Sequence, residues 1–360
     1  MPVRPTVARP TVARPTLVRP AVLVPGDKVA ILSPSWAGPA VFPQVHDLGL
    51  QRLRTRLQLE PAEYPTTRKV GASPRERADD IHAAFSDPEI KAVMSSIGGE
   101  DQIKVLRYLD PAVLQGNPTA FFGYSDNTNL LIYLWNLGII GFHGGSTMVH
   151  LARPGRLHPT TLESLRRALF EPGEVRLQPA AEMTDENIDW DDPEALDVEM
   201  PMRPGAGWAW AGEQRAVTGP SWGGCLEILD FHLRAGRYLL EPEAYAGCVL
   251  MLETSEEMPS AEYVYRVLAG MGERGMLEQF GAVMVATPKA WNRERRQSVP
   301  DRLQYAADQQ ASILRALDEY NPGVPTVFGL DFGHTDPQIV IPHGGSITVD
   351  GNNQTVTVAY

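Results

Sequence analysis

A serine at a corner between a strand and a helix is the residue of this sequence best placed to do chemistry. The apolar run over residues 119–123 is followed by Tyr124-Ser125-Asp126-Asn127, and a helical apolar pattern then extends to Trp135. A serine at such a corner stands clear of the strand end, beside N–H groups of the helix, as a nucleophilic serine requires. The second glycine of the Gly-x-Ser-x-Gly motif is missing, so helix capping by Ser125 or Asp126 is an alternative. The corner predicts hydrolysis of an acyl bond.

A pair of glycines follows another predicted strand. The apolar run over residues 91–96 ends in Ile97-Gly98-Gly99. Two glycines there let the backbone turn its N–H groups outward, and each such group can stabilise a developing oxyanion by roughly 3–4 kcal/mol. A plain turn and a phosphate-binding loop are the alternatives for this pair.

A serine nucleophile needs a base, and the base needs a group that orients it. Of the eight histidines, His46 and His82 are expected on the exposed faces of helices. Three others, His143, His334 and His343, lie beside glycines in loops at strand ends. Catalytic side chains commonly project from such loops, and spacing alone does not choose among the three.

Glu253 is the candidate for the orienting carboxylate. It directly follows the buried strand predicted over residues 249–252. The carboxyl ends of strands are the usual place for active-site groups in open α/β sheets. A helix-capping role or a surface position is the alternative, and Glu256 and Glu257 are expected to be more solvated.

A metal site is a weaker hypothesis for the same region. Asp331, His334, Asp336 and His143 carry side chains that can ligate a metal ion. The sequence has neither a His-Glu-x-x-His motif nor a Cys-x-x-Cys motif, which are the usual spacings of such sites. We therefore predict a mechanism without a metal ion or a cofactor.

Composition and charge narrow the class of protein. The chain has 360 residues, enough for two domains, and a formal net charge of −12. An acidic chain without a lysine- or arginine-rich run is a poor candidate for binding a nucleic acid polymer. The sequence has no apolar stretch long enough to span a bilayer. Cys225 and Cys248 are read most simply as unpaired thiols of a cytoplasmic protein.

The order of predicted elements indicates an α/β fold. Strand and helix patterns alternate from residue 28 to residue 142, which predicts a mainly parallel sheet flanked by helices. A capping box, Ser73-Pro74-Arg75-Glu76, predicts the start of one of these helices. The second half predicts strands at 247–252 and 280–286, helices over 260–271 and 301–319, and short terminal strands at 326–328, 338–341, 346–349 and 355–359.

Four segments follow from this reading. Residues 23–170 form an N-terminal α/β domain that carries the nucleophile. Residues 171–215 form a linker and a tryptophan-containing loop, and residues 216–360 form a smaller, β-rich C-terminal domain with helices. Residues 1–22 repeat Arg-Pro-Thr-Val-Ala with small changes, and their regular prolines predict a disordered tail.

Several short motifs occur in an order that resembles the LD-carboxypeptidase family of serine peptidases, which includes the microcin C immunity peptidases. The resemblance covers about residues 24–345. The motifs are Ser-Ile-Gly-Gly-Glu-Asp at 96–101 with Tyr108-Leu109-Asp110, Gly-Tyr-Ser-Asp at 123–126, Phe-His-Gly at 142–144, Gly223-Gly224-x-Leu226, Leu252-Glu253 and Phe332-Gly333-His334.

The resemblance implies a catalytic triad and a fold. It places Ser125 as the nucleophile, His334 as the general base and Glu253 as the residue that orients it. The N–H groups of Gly99 and Asp126 would form the oxyanion hole. It further implies an α/β domain joined to a smaller β-rich domain, a site between them and a homodimer, with His143 and His343 in structural or supporting positions.

Two features are similar to the microcin-immunity branch of that family. One is the Ser-Ile-Gly-Gly-Glu-Asp version of the glycine motif, in which Gly98 is expected to contact substrate. The other is Trp190, in a loop where that branch carries an aromatic residue that stacks on a nucleobase. Packing of Trp190 on the core as a loop anchor is the alternative.

Two expected substrate contacts depart from that branch. Cys225 stands where its members tend to have asparagine, and Glu257 stands where they tend to have lysine. Loss of an amide and reversal of a charge weaken the binding of a carboxylate, so a less acidic acyl group than aspartate is expected.

The sequence thus predicts a serine carboxypeptidase or amidase that detoxifies a microcin C-like peptide–nucleotide or an aminoacyl-nucleotide, a role in antibiotic resistance. The first alternative is an LD-carboxypeptidase that trims murein tetrapeptides during cell-wall recycling. The second alternative is a non-catalytic protein that binds a small ligand between its domains.

Overall fold

The computed structural model describes residues 14–294 and 296–360, in which strands and helices alternate as predicted. The strands, in chain order, are β1 (Lys28–Leu32), β2 (Glu60–Glu63), β3 (Ile90–Ser95), β4 (Ala120–Gly123), β5 (Gly141–His143), β6 (Glu174–Arg176), β7 (Glu182–Met183), β8 (Arg203–Pro204), β9 (Ala209–Ala211), β10 (Ala216–Cys225), β11 (Val249–Glu253), β12 (Ala282–Ala286), β13 (Thr326–Leu330), β14 (Ile341–His343), β15 (Ser346–Asp350) and β16 (Thr355–Ala359). The helices are α1 (Gly38–Val41), α2 (Pro43–Leu57), α3 (Pro74–Ser86), α4 (Ile103–Leu106), α5 (Pro111–Gly116), α6 (Thr128–Asn136), α7 (Pro159–Phe170), α8 (Leu226–Ala235), α9 (Ala261–Glu273) and α10 (Val299–Tyr320).

The first sheet has the order β14-β5-β4-β3-β1-β2. Its strands β1 to β5 pair in parallel. Strands β1, β3 and β4 are almost fully buried apolar runs, as expected for a parallel sheet covered on both faces. The predicted α/β fold of the N-terminal half is therefore confirmed.

One edge of this sheet comes from the far end of the chain. Strand β14 pairs antiparallel with β5. It begins at Ile341, later than the strand predicted over residues 338–341, and it belongs to the segment predicted as a separate C-terminal domain. The chain between β13 and β15 therefore crosses back to the first sheet, which brings the segment that carries His334 next to the N-terminal domain.

The second sheet has the order β6-β16-β15-β10-β11-β12-β13-β9. Its centre, β10 to β13, is parallel, and antiparallel strands flank it on both sides. Ten-residue β10 pairs with β15 through its first half and with β11 through its second half. Strands β6 and β9 come from residues 171–215, so this segment, predicted as a linker and loop, also contributes edges to the second sheet.

A hydrophobic core joins the two sheets. One cluster of buried side chains contains Ile31 and Phe122 from the first sheet together with Met251, Met284 and Val349 from the second. The same cluster includes Phe332, two residues before His334. The two sheets therefore pack as neighbours around a shared core, and the segment at 330–334 runs along their junction.

Local sequence signals predicted the start of α3 correctly but the exposure of His46 wrongly. Ser73 accepts a hydrogen bond from the N–H of Glu76, whose side chain accepts from the N–H of Ser73, so the predicted capping box is present. The prediction that His46 lies on the surface is wrong. Its side chain is fully buried, and its Nε2 lies 3.0 Å from Glu63 on β2.

Part of the predicted N-terminal tail is ordered. Residues 1–13 lie outside the described residues. The N–H of Val18 donates to Gly138 O at 2.8 Å, and Val18 O accepts from the N–H of Ile140 at 3.0 Å. Arg14 Nη1 donates to Ala246 O at 3.1 Å, which differs from the disorder predicted for this part of the chain.

No helix in the described part of the chain is both long enough and apolar enough to cross a membrane.

Candidate active site

Ser125 has a backbone conformation that residues other than glycine rarely adopt. Strand β4 ends at Gly123, and the chain turns through a short 3₁₀ helix at residues 125–127 into α6. Ser125 has φ +59°, in the left-handed region, which costs of order 1–2 kcal/mol for a residue other than glycine. A strained serine between a strand and a helix is the geometry of a nucleophile elbow, in which the hydroxyl group projects from the turn.

Glycines make room for this turn. A Cβ on Gly123 would lie 2.8 Å from Asn127 Cβ and 2.9 Å from Ser95 Oγ. A Cβ on Gly98 would lie 3.0 Å from Ser125 Oγ and 3.5 Å from Asp126 N. Any side chain at position 98 would therefore crowd the hydroxyl group and the adjacent peptide N–H, which explains why glycine stands there.

Asp126 ties the turn to the loop after β3. Its Oδ2 accepts the N–H groups of Asp101 and Gln102, each at 3.0 Å, and its Oδ1 accepts from Asn129 Nδ2 at 2.8 Å. Burial raises the pKa of this carboxyl group to about 6, against the lowering effect of these donors. These contacts join the turn that contains Ser125 to residues 101–102, just after Gly99. The N–H groups of Gly99 and Asp126 remain the predicted oxyanion hole.

His334 and Glu253 form a buried hydrogen-bonded pair. His334 Nδ1 lies 2.6 Å from Glu253 Oε2, at the carboxyl end of β11. The Glu253 side chain is fully buried and that of His334 is 7% exposed. A carboxylate at Nδ1 fixes that nitrogen as the protonated one, which leaves Nε2 to exchange a proton with another group.

Glu256 lies beside the other nitrogen of the same imidazole. Its Oε2 lies 3.2 Å from His334 Nε2, although 57% of the Glu256 side chain is exposed. Burial lowers the pKa of His334, but the charges of Glu253, Glu256 and Glu227 outweigh it and raise the pKa to about 9. Glu256, expected from the sequence to be solvated, is thus the second carboxylate at this histidine.

Aromatic and imidazole rings pack around this pair. The ring of Tyr124 lies 4.7 Å from that of His334, 4.9 Å from that of His150 and 6.0 Å from that of His143. His143 Nε2 donates to Phe332 O at 3.1 Å. Burial lowers the pKa of both His143 and His150 to about 3, with a further contribution from the charge of His334. These two histidines are neutral and packed inside the protein.

His343 also lies outside the cleft. Its Nε2 is 3.2 Å from Gly223 O, and burial lowers its pKa to about 3. Of His143, His334 and His343, only His334 both hydrogen-bonds a carboxylate and lines the cleft that contains Ser125.

A cleft of about 1010 Å³ is lined by several of the candidate residues. Ser125, His334, Gly98 and Gly99 line it together with Glu256. Trp190 lines it too, and its ring makes an edge contact with Phe42 at 5.4 Å between centroids. Trp190 thus packs against Phe42, directly before α2, and also lines the cleft. Anchoring of the loop and stacking on a nucleobase are therefore compatible interpretations of this residue.

Lys289 anchors the loop that carries Trp190. Lys289 is only 3% exposed, and its Nζ donates to Asp185 O at 2.7 Å and to Asn187 Oδ1 at 2.8 Å. Burial lowers its pKa to about 8. Sequence reasoning missed Lys289, which lies three residues beyond the end of β12, whereas Glu253 is itself the last residue of β11.

Cys225 and Glu257 do not line the cleft. Cys225 is buried, and its Sγ lies 3.3 Å from Glu227 Oε2. Burial and the charge of Glu227 raise the pKa of the thiol, which keeps it neutral and argues against a thiolate nucleophile. Glu257 is exposed as a residue, but partial burial of its carboxyl group, together with the charges of Glu227, Glu256 and Glu100, raises its pKa. The structure therefore separates these two predicted substrate contacts from Gly98 and Trp190.

The described residues hold no group of three or more histidine, cysteine, aspartate or glutamate side chains arranged to bind a metal ion. Of the ligands considered in the sequence, Asp336 pairs with Arg153 at 2.7 Å, and Asp331 accepts the N–H of Ala180 at 3.0 Å. Both carboxylates therefore have structural partners.

Known proteins are similar in sequence to this chain over most of its length. The "Putative carboxypeptidase" of Vibrio cholerae serotype O1 is 27% identical over 339 residues, which cover 92% of this chain and 94% of that protein. The microcin C7 self-immunity protein MccF of Escherichia coli is 23% identical over 289 residues, which cover 79% of this chain and 78% of that protein.

Solved structures share the fold. MccF in complex with glutamyl sulfamoyl guanosine matches with a TM-score of 0.80 at 22% identity, covering 95% of this chain and 98% of that chain. An MccF-like protein from Streptococcus pneumoniae in complex with AMP matches with a TM-score of 0.81 at 26% identity, covering 93% of this chain and 99% of that chain.

Family models match both halves of the chain. The LD-carboxypeptidase N-terminal domain matches residues 29–144, and the LD-carboxypeptidase C-terminal domain matches residues 218–349. The two matches contain the corner at Ser125 and the pair of Glu253 and His334. The protein therefore belongs to the LD-carboxypeptidase family of serine peptidases.

Proposed function

We propose that this protein hydrolyses an amide bond with Ser125 as nucleophile, His334 as general base and Glu253 as the group that orients it. The observation that carries the proposal is the 2.6 Å contact between His334 Nδ1 and Glu253 Oε2, in a histidine that shares a cleft with the strained Ser125. Elbow serine, imidazole and carboxylate are the three parts of a nucleophilic triad.

In the proposed reaction, Ser125 Oγ attacks the amide carbonyl carbon while His334 Nε2 takes the hydroxyl proton. The carbonyl oxygen becomes an oxyanion, which the N–H groups of Gly99 and Asp126 stabilise. His334 then donates its proton to the leaving amine as the C–N bond breaks. Water, activated by the same imidazole, releases the acyl group from Ser125 and restores the free enzyme.

The raised pKa of His334 sets a condition on this reaction. A general base must be neutral, but an imidazole with a pKa near 9 is protonated at neutral pH. Glu256 Oε2, 3.2 Å from Nε2, stabilises the protonated form by its charge and lies beside the nitrogen that must reach Ser125, although Nε2 forms no hydrogen bond to any described residue. We infer that Glu256 moves away when substrate enters the cleft, which its exposed position allows.

Glu256→Gln is therefore expected to increase activity near neutral pH. Because the raised pKa of His334 favours the protonated form, kcat/KM rises with pH until the pH passes that pKa. Removing one of the two contacting carboxylates is expected to lower this pKa by about one unit, which raises kcat/KM at pH 7 about tenfold. The pH profile of kcat/KM and the imidazole NMR signals measure the shift.

The matched control is Glu262→Gln, an exposed glutamate on α9. It is expected to leave the pH profile unchanged. A Glu256→Gln profile that superimposes on the wild-type profile would contradict the inferred role of Glu256.

For the substrate, we propose an aminoacyl-nucleotide or a related peptide–nucleotide antibiotic with a less acidic acyl group than aspartate. The cleft is large enough for such a molecule, and Trp190 offers an aromatic surface on its wall. Glu100 and Glu256 line the cleft, while the charges of both raise the pKa of nearby Glu257. Negative charge at this end disfavours an acyl carboxylate and favours a basic acyl group.

Trp190→Ala tests the nucleotide assignment. Loss of base stacking, worth about 1–3 kcal/mol, is expected to lower kcat/KM for an aminoacyl-sulfamoyl adenosine roughly 5- to 150-fold. Cleavage of a murein tetrapeptide is expected to stay nearly unchanged. Steady-state assays on both substrates measure the difference, with lysyl and aspartyl conjugates compared for the preferred acyl charge.

The matched control is Trp210→Ala on β9, which removes an indole from outside the cleft lining. Equal losses of Trp190→Ala on both substrates would assign Trp190 to loop anchoring alone. Cleavage of the tetrapeptide but of no nucleotide conjugate by the wild-type protein would instead favour murein trimming.

The proposal also includes a homodimer and a role in antibiotic resistance, which the resemblance implies, and a cytoplasmic location, which the two unpaired cysteines favour. Sedimentation of the purified chain measures the oligomeric state directly.

A further inference from the structure

A second cavity lies behind Glu253. It has a volume of about 280 Å³ and shares no lining residue with the catalytic cleft. Its walls include the carboxyl ends of the parallel strands β11 and β12 and one side of α10. The carboxyl end of parallel strands is where open α/β sheets most often bind ligands.

Most of this cavity is apolar, with Val264, Ile313 and Phe328 among its lining residues. The exposed side chain of Leu303 stands among the lining residues as well, so the cavity has an opening on the protein surface. Small-molecule sites commonly combine such apolar walls with a few polar groups that fix the ligand's orientation.

Besides Glu253 Oε1, three polar atoms of the lining residues are buried without a hydrogen-bond partner in the described part of the chain. Trp208 Nε1, Thr254 Oγ1 and Gln309 Oε1 each lack a hydrogen bond to any described residue. Thr254 is 8% exposed and Gln309 is 3% exposed. Buried polar atoms are nearly always hydrogen-bonded, so three unpartnered atoms around one cavity call for an explanation.

The three atoms define what a ligand must offer. The indole N–H needs an acceptor, the amide oxygen of Gln309 needs a donor, and the hydroxyl group of Thr254 can serve either. Glu253, the charged lining residue, forms an ion pair with His334 through Oε2, and this pairing offsets its charge toward a ligand, while Oε1 can accept a further hydrogen bond. An anion would also face that carboxylate and the net charge of −12.

We propose that this cavity is a binding site for a small, uncharged aromatic molecule that carries both a hydrogen-bond donor and an acceptor, such as an aromatic primary amide. The ring occupies the apolar part. The carbonyl oxygen accepts from Trp208, and the two amide N–H groups donate to Gln309 and to the hydroxyl oxygen of Thr254.

Benzamide is the probe for this site. Titration into the full chain, followed by ligand-observed NMR, is expected to give saturable binding with a Kd on the order of 1 mM or below. Benzoate, which has the same ring but a negative charge, is expected to bind at least about tenfold more weakly. Absence of saturable benzamide binding to the wild-type protein would overturn the proposal.

Ala306→Phe locates the binding. Ala306 lines the cavity from α10, so a phenyl ring there fills it and is expected to abolish benzamide binding. Ala311→Phe places the same ring at an exposed position of the same helix outside the lining and is expected to leave binding unchanged. Undiminished binding by Ala306→Phe would place the probe elsewhere, including in the catalytic cleft, and would overturn the assignment.

A second variant keeps the test decisive if Ala306→Phe does not fold. Thr254→Val preserves the shape of the side chain and removes its hydroxyl group, so benzamide is expected to bind about fivefold more weakly. Unchanged binding by folded Thr254→Val would contradict the proposal. All of these readouts are binding measurements, so they do not depend on the proposed hydrolytic function.

Discussion

Ser125→Ala is expected to lower kcat for amide hydrolysis by roughly 10⁴- to 10⁶-fold, the loss usual when a triad nucleophile is removed. Alanine lacks the oxygen that attacks the carbonyl and that forms the acyl-enzyme. The change removes one atom from a half-buried position, so the fold is expected to persist. Single-turnover assays with a sulfamoyl conjugate, together with thermal unfolding, separate lost chemistry from lost structure.

Cys225→Ala is the control for a rival nucleophile. The buried thiol has a raised pKa and does not line the cleft, so this variant is expected to keep most of the wild-type kcat. A fluorophosphonate probe is expected to label the wild-type protein and Cys225→Ala but not Ser125→Ala. Full activity of Ser125→Ala would refute the triad, and ligand binding without any turnover or labelling would favour the non-catalytic alternative.

The elements that position Ser125 could be predicted because their signals are local. The apolar run that becomes β4, the glycine that ends it and the helical pattern that becomes α6 lie within about twenty residues. The capping box at Ser73 is equally local, since both of its hydrogen bonds join residues three positions apart. Glu253 was identified by a rule on strand ends, which again needs only the residues just before it.

The choice among the histidines could not be made in this way. His143, His334 and His343 all stand beside glycines at strand ends. What separates them is a contact between positions 253 and 334, which are 81 residues apart in the chain. Family resemblance selected His334, whereas residue spacing had left the three equivalent.

Long-range crossings account for what the sequence did not predict. Strand β14 lies in the second half of the chain but pairs with β5 of the first sheet, a pairing that no local sequence pattern indicates. Lys289 reaches Asn187 across 102 positions to hold the Trp190 loop. The sequence around Glu256 indicates only that its side chain is exposed. Its contact with the imidazole of His334, 78 positions later, is not visible in that local pattern.

Glu253→Gln is expected to lower kcat by about 10⁴-fold, the effect seen when the carboxylate of such a triad becomes an amide. Glutamine keeps the size of the side chain but can present its NH₂ group to His334 Nδ1. That arrangement favours the tautomer with the proton on Nε2, which cannot then accept a proton from Ser125. Measurement of kcat at several pH values checks the prediction, with thermal unfolding as the test of intact structure.

Glu256→Gln makes the sharpest control for this substitution, because both glutamates contact the same imidazole. Glu253 holds Nδ1 from a fully buried position at 2.6 Å, whereas Glu256 reaches Nε2 from an exposed position at 3.2 Å. Both changes remove a negative charge and are expected to lower the pKa of His334, so a purely electrostatic role predicts the same direction of change in activity. The proposed roles predict opposite directions at pH 7: a large loss for Glu253→Gln and a gain for Glu256→Gln. Similar losses in the two variants would mean that the nitrogen each glutamate contacts does not matter, which contradicts the assignment of Glu253 as the orienting residue.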